Sequence, residues 1–542
     1  MGGIDCRESI TGNQSQESIP RQRPPPPTRH CESHITRRAM PDLLAEKAEA
    51  AWRFVRASMF VLGESSARFY ADATWSRVVT GGHDGETSPA RVLGALLGDV
   101  TSREAVTRQS RPFHDDHAAA CSNPTAAGAT FTSGGRLTEV GVFVREVERY
   151  TLDGLGLCTS LKPSIQDLAP ALDLRNCIMS PKKCHEVQTM AGAVASLAQS
   201  CGLHQVVELG SGKSYLGSEL AWRYSFRVAG LDSSPTVTRG AERREGRLLD
   251  RRRGRGGGGG RAAGRPGETS AVPRSARPGE AGGHSTVNAH VTPGTDLQAV
   301  LADSGVCVSE GVLLAGLHAC GDLSSTAVRL FCSSPHARAL CLVSCCYHRL
   351  TEQGDAGENL SSLPGFPMSQ KLSSMQCMLG RNARMTACLS RERARHGKGL
   401  PTDSLFFWAV LQVLIRDHYD SGSSDEHVGK VFSKSRSFVD YCRRVLEKMG
   451  LDHAKLTDSE IQSYHDRYID RKVELEAFNQ MKAALAPCVE ALILTDRLCY
   501  LQEQGVAHAG IVRLFHPMVS PRCFALVASK TAEPDILASS SP

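Results

Sequence analysis

The 542-residue chain has no apolar run long enough to cross a bilayer. Its first residues, MGGIDCRESITGNQ, contain no apolar core of a secretory signal. Neither membrane association nor export is expected. The expected setting is intracellular, cytoplasmic or nuclear, and reducing, so the 19 cysteines should be mostly free thiols. Charge of one sign is also scarce: 63 basic against 57 acidic residues leave +6, too little for global charge to force a nucleic-acid partner. What remains is ordinary for a globular chain, with 41% hydrophobic and 22% charged residues. The length suits about two to four domains.

Residues 1–40 are polar and hold RQRPPPP at 21–27, which reads as a disordered, Pro-rich tail. Region 41–175 reads as helical, beginning with an apolar face of Leu43, Leu44, Ala48, Ala51, Trp52, Val55 and Phe60. Within it, 81–135 is rich in Gly, Thr, Ser, Ala and His, with Val92–Leu97 its one apolar stretch, and is expected to be loops in poor order. Helix-like spacing resumes over 136–178.

The centre of the chain is QVVELGSGKSYLGSELAWRYSFRVAGLD at 205–232. An apolar run ends at Leu209, Gly210-Ser211-Gly212 breaks it, a helical pattern follows from Tyr215, and a second apolar run ends in Asp232. Strand, glycine turn, helix, strand, acid is the opening of a nucleotide-binding α/β fold. Glycine at 210 and 212 lets the backbone approach a ligand and take dihedrals a Cβ would forbid. Asp232 stands where a carboxylate can accept both hydroxyls of an adenosine ribose. The third glycine of a dinucleotide G-x-G-x-x-G loop is missing, since Tyr215 takes its place. Glu208 adds negative charge where a pyrophosphate would sit, and suits a cationic group such as the ammonium of S-adenosylmethionine. A dinucleotide site and a bare structural turn remain the alternatives.

The α/β domain is expected over 176–420. Ser180-Pro181 starts a helix to about Ala198. Lys182, Lys183 and His185 gather at its start, where cations oppose the macrodipole. They either face an acidic ligand or phosphate, or form a solvated face. Beyond Asp232 a helix runs into RRRGRGGGGGRAAGRPGETS, an Arg/Gly-rich insertion at about 250–285 expected to be disordered. Arg239, Arg243, Arg244 and Arg247 begin this local polycation. It could attract RNA through phosphates, although it lacks aromatics for stacking and a linker is the simpler reading. A weak strand is expected at Val287–Val291 and buried strands at Gly311–Leu317 and Ala339–Val343. Asp322 would cap the helix Asp322–Phe331. A helical insertion (421–485), a final helix with a strand pair at Val512–Pro517 and Arg522–Ser529 (486–530), and a tail (531–542) complete the chain.

In open α/β sheets the ligand lies outside the carboxyl ends of the strands. Two such ends are unusual, Gly316-Leu-His-Ala-Cys-Gly-Asp322 and Ser344-Cys-Cys-Tyr-His348. His318 or His348 could act as a general base. His318 could also wall the cofactor, and Cys345, Cys346 and Tyr347 the substrate. The same Cys and His side chains could hold zinc, but these segments offer no cysteines two to four residues apart and adjacent Cys345-Cys346 chelate poorly, so no metal ligand is assigned. Packing is the third alternative for the cysteines. The Asn/Asp-Pro-Pro-Tyr/Phe loop of enzymes that methylate base amines is absent.

The segments MSPKKCHEV (179–187), VVELGSGKSYLGSEL (206–220), VAGLDSS (228–234), GLHACGDLS (316–324), SCCYHRL (344–350), GFPMSQ (365–370) and LFHPMVSPRCFALVAS (514–529) together resemble the methyltransferase-like protein 25 family. The resemblance covers about 136–240 and 285–530. It implies a Rossmann-like class I methyltransferase sheet with helical N-terminal and C-terminal elaborations, using S-adenosylmethionine. By motif it assigns Glu208, Gly210, Gly212 and Asp232 to the cofactor. Family members usually read Gly-Lys-Gly where this chain has Gly212-Lys213-Ser214. The Cys-Cys-Tyr-His segment also resembles tRNA ribose methyltransferases, which makes RNA the expected acceptor and protein the next. The alternative is a catalytically inactive member of the fold that binds RNA as a scaffold.

Overall fold

The computed structural model describes residues 39–79, 87–98, 132–133, 135–161, 179–256, 282–353, 363–398, 400, 402–419, 429–531 and 533. The Pro-rich tail up to residue 38, most of 81–131, the Arg/Gly stretch 257–281 and most of 532–542 lie outside the described residues.

The N-terminal region contributes α1 (Ala39–Ala57), α2 (Pro89–Leu97), the strands β1 (Thr132–Ser133) and β2 (Arg136–Leu137), α3 (Val140–Arg149) and β3 (Cys158–Ser160). The α/β part follows with α4 (Pro181–Ser200), β4 (Gln205–Leu209), α5 (Tyr215–Tyr224), β5 (Arg227–Asp232), α6 (Pro235–Gly256), β6 (His284–Asn288), β7 (Val312–Cys320), α7 (Asp322–Ser333) and β8 (Ala337–Cys345). The C-terminal part adds α8 (Thr402–His418), α9 (Phe438–Lys448), α10 (Asp458–Tyr468), α11 (Lys472–Glu503), β9 (His508–Arg513) and β10 (Phe524–Ser529).

Eight of these strands form one sheet in the order β3-β9-β10-β8-β7-β4-β5-β6. β4 through β8 run parallel, while β10 is antiparallel to both β8 and β9. This is the Rossmann-like methyltransferase arrangement, and the chain reverses direction across the sheet between β4 and β7. Successive side chains on a strand face opposite ways, and both faces here are covered. Val207, Leu209 and Leu314 enter one core beneath α7 and α11, while Val206, Leu313 and Ala315 enter a second beneath α4 and α5. Burial on both faces explains why these strands are continuous apolar runs rather than alternating ones.

Several local expectations are corrected. Part of the supposed loop region 81–135 is helix α2, which buries Val92 and Leu96. Pro89 at its start pre-sets the backbone. Of the helical spacing expected over 136–178, α3 bears out one part, β3 replaces another by joining the sheet edge in parallel with β9, and 162–178 lie outside the described residues. The weak strand begins earlier, at His284, and the terminal pair is β9 and β10, with β9 ending before Pro517. The helix α6 continues through Gly256, into the stretch expected to be disordered. Asp322 does not cap α7. Gly321 precedes the helix at a positive φ of +53°, and Asp322 Oδ1 accepts the Thr351 amide at 3.0 Å.

The boundary drawn at 485 falls inside α11, which runs unbroken through Pro487. An interior proline costs about 3 kcal/mol in an isolated helix. α11 is buried along nearly its whole length, including Phe478, Leu485, Val489, Leu492 and Leu501. Each such side chain gains about 1.5–3 kcal/mol on burial, so packing outweighs the local cost. Helix α1 lies against it, which ties the N-terminal helices to the sheet.

Candidate functional site

The glycine loop sits where the sheet order reverses. Gly210 and Gly212 are left-handed, at φ +68° and +56°. The Gly210 and Ser211 amides both donate to the Leu231 carbonyl, at 2.9 and 3.0 Å, fastening the loop to β5. A Cβ at Gly212 would meet nothing within 4 Å, so the loop fronts open space there. Asp232 holds this loop directly. Its Oδ2 accepts the Gly212 amide at 3.0 Å and its Oδ1 the Ser234 amide at 2.9 Å. Each carboxylate oxygen has a further lone pair for a ligand hydroxyl.

Ser214 takes φ +52° at the start of α5, the left-handed conformation that glycine adopts at no steric cost. Its buried hydroxyl has no hydrogen-bond partner among the described residues and packs at the position a Gly230 Cβ would claim. Arg244 of α6 clamps this turn, donating to the Lys213 carbonyl (3.0 Å), the Ser214 carbonyl (2.8 Å) and Ser218 Oγ (2.6 Å). It also lies 4.5 Å over the Tyr215 ring.

Glu208 is buried, and its Oε2 accepts the Gly217 amide at 3.0 Å. Burial raises its carboxyl to about 8, against the Gly217 hydrogen bond and the nearby charges of Lys183 and Arg244. Its direct contact is therefore with the helix that carries the loop.

Beside the loop, β7 ends in an irregular turn. The β7–β8 register shifts between Leu317 and Ala319, and His318 has φ +69°. Its Nε2 lies 3.0 Å from Glu186 Oε2. Glu186 Oε1 accepts Ser520 Oγ at 2.7 Å and has Lys182 Nζ at 3.5 Å. Burial opposes ionisation of Glu186, but the bonds from His318 and Ser520 and the Lys182 charge outweigh it and hold the carboxyl at about 2. An ionised Glu186 can only accept, so it sets the Nε2–H tautomer and leaves Nδ1 as the basic nitrogen.

Three thiols meet at the ends of β7 and β8. Cys320 Sγ lies 3.0 Å from Cys345 Sγ, which lies 3.8 Å from Cys346 Sγ. The Cys345 hydrogen bond lowers the Cys320 thiol to about 6 against its burial, with a second bond to Cys346 and the His318 and Arg349 charges assisting. The same bond and burial push Cys345 well up.

Not every expected residue joins this site. Tyr347, expected on the substrate wall, is 1% exposed. Its hydroxyl donates to Glu490 at 2.9 Å, beneath the Arg522 guanidinium that pairs with Glu490 at 3.2 Å. It is a core residue. His348, the other candidate base, is exposed and contacts Cys388 Sγ at 3.4 Å; burial and then three arginines lower its pKa. Lys182, Lys183 and His185 diverge. Lys182 pairs with Glu186, and Lys183 faces the Glu186 and Glu208 charges with its own pKa lowered by burial. His185 Nε2 accepts the His516 amide at 3.3 Å and its ring meets Phe515 edge-on.

Residues 182–353 match the methyltransferase-domain family. The mouse and human proteins named probable methyltransferase-like protein 25 are each 32% identical over 90% of this chain, covering 97% and 98% of their own lengths. The chain belongs to the methyltransferase-like protein 25 family. It therefore carries a transferase domain of the methyltransferase class, and its relatives match along both helical elaborations as well as the sheet. No solved structure matches. Among the described residues, no helix is long and apolar enough to cross a membrane.

Glu186, Ser520 and Arg244 were missed by sequence reasoning. Glu186 lies inside MSPKKCHEV, where three neighbouring cations are the stronger local signal. Arg244 stands in the sequence as one more arginine of the run that leads into the insertion. Ser520 lies in the hairpin at the far end of the chain, and local sequence carries no signal of its contact with Glu186.

Proposed function

We propose that this family member transfers a methyl group from S-adenosylmethionine to an RNA acceptor, with His318 as the general base. The observation that carries the cofactor assignment is Asp232, whose two carboxylate oxygens are braced by the Gly212 and Ser234 amides beside an open glycine loop. The residues fit the cofactor: Asp232 would take the ribose hydroxyls, Gly210 and Gly212 would let the backbone approach, and Glu208 would hold the loop through α5. When bound, the cofactor supplies an activated methyl on a sulfonium.

The rest of the work falls to this chain. Positioning the acceptor for in-line attack is the main contribution. His318 Nδ1 takes the acceptor's proton, while Glu186 fixes the imidazole through Nε2 and stabilises its charged form. Ser520 and Lys182 hold Glu186 in place. The RNA assignment is supported by the likeness of the Cys345–His348 segment to tRNA ribose methyltransferases. A protein acceptor is the competing class.

Calorimetric titration with S-adenosylmethionine, run beside Asp232→Asn and Asp232→Ala, tests the cofactor. Binding weakened at least about tenfold in Ala (~1.4 kcal/mol) is expected. A folded wild-type protein that binds none would overturn the enzyme reading in favour of a scaffold.

A further inference from the structure

Three cysteines that the sequence spacing argued against as ligands converge because two backbone irregularities aim them. In a regular strand Cys345 and Cys346 would point to opposite faces. Cys346 instead leaves β8 with φ +51° and ψ +47°, a left-handed conformation that non-glycine residues seldom adopt. This turn brings its Sγ to 3.8 Å from that of Cys345. On β7 the register shift at His318 sets Cys320 directly opposite Cys345, and Gly321 at φ +53° ends the strand there. The three Sγ atoms lie within 4.8 Å of one another.

We propose that Cys320, Cys345 and Cys346 form a three-thiolate zinc site at the carboxyl ends of β7 and β8. Zinc–sulfur bonds of about 2.3 Å place tetrahedral ligand sulfurs about 3.8 Å apart. The Cys345–Cys346 pair already has that spacing, and the Cys320–Cys345 pair needs to open by about 0.8 Å. Soft thiolates select zinc over the hard cations. Zinc uptake releases to solvent whatever protons the three sulfurs still hold and changes no oxidation state, so no oxidant or reductant enters. Three protein ligands leave one corner for water or a substrate atom, the pattern of catalytic rather than closed structural zinc. Cys320 and Cys346 are partly exposed and Cys345 is buried, so a cation can reach the site past the two outer thiols. The site stands independently of the cofactor assignment.

The test uses the full-length protein purified under reducing conditions. Elemental analysis should find about one zinc per chain. After chelation, titration with Co²⁺ should give the near-ultraviolet sulfur-to-cobalt absorption and the visible bands of a tetrahedral site. Cys346→Ser, at a partly exposed turn, and Cys320→Ser should each lose these bands while keeping the wild-type circular dichroism spectrum. Cys307→Ser, exposed and elsewhere in the fold, should keep them. A metal-free wild-type protein that gives no cobalt band, bands that survive Cys320→Ser and Cys346→Ser, or a Cys320–Cys345 disulfide in the reduced preparation would each overturn the proposal.

Discussion

His318 Nε2 and Glu186 Oε2 stand 3.0 Å apart although 132 positions separate them in the chain. One comes from an irregular strand end and the other from the first turns of the helix that covers the sheet. Among the described residues, the pair gives His318 what His348 lacks, a buried carboxylate to fix its tautomer.

Glu186→Gln should therefore lower kcat by about 10²-fold, the scale of a lost general base, with cofactor affinity and KM little changed. Steady-state kinetics separate this from a structural role, which would move KM and the melting temperature together. The same carboxyl contributes to stability with a definite sign. Its folded value of about 2 lies below the unfolded one near 4.5, so its contribution is present above 4.5 and is lost as pH falls through 2. Denaturation midpoints between pH 5 and 2 should drop less in Glu186→Gln than in the wild type.

Ser214→Gly should stabilise the protein by about 1 kcal/mol. It relieves a left-handed backbone and removes a buried hydroxyl that has no partner among the described residues. The relevant measurement is chemical denaturation beside the wild type. A lower midpoint would mean that Ser214 Oγ makes a compensating contact.

Glu208 has the opposite sign from Glu186. Its unfolded carboxyl ionises near 4.5 and its folded one at about 8. Between those values the unfolded state binds fewer protons, so stability falls as pH rises, by at most about 1.4 kcal/mol per pH unit. Glu208→Gln keeps the acceptor for the Gly217 amide and removes the titration. Its stability should be nearly flat from pH 5 to 8 where the wild type declines.

Tyr347→Phe should cost about 1–3 kcal/mol by leaving Glu490 without its hydroxyl donor. Turnover per folded molecule should be unchanged. A selective loss of kcat or acceptor affinity, measured well below the melting temperature, would return Tyr347 to the substrate wall.

The parallel sheet, the glycine turn and the acid after the second strand were all legible in the sequence. Strands buried on both faces must be apolar runs, and left-handed turns favour glycine, so local composition carries both signals. The seam between the insertion and the final helix was misplaced because Pro487 breaks helices locally. The tertiary burial of α11 outweighs that preference, and no window around the proline reports it.

The sequence by itself determined the architecture and the glycine loop, because periodicity and backbone sterics act over a few residues. Only the tertiary structure decided how the polar side chains are used. It paired Glu186 with His318 and Ser520, turned Tyr347 onto Glu490, set Arg244 on the Ser214 turn and gathered three thiols from two strands. Those contacts join residues far apart in the chain. They depend on strand register and on which way a bulge or a left-handed residue aims a side chain, and composition does not encode that direction.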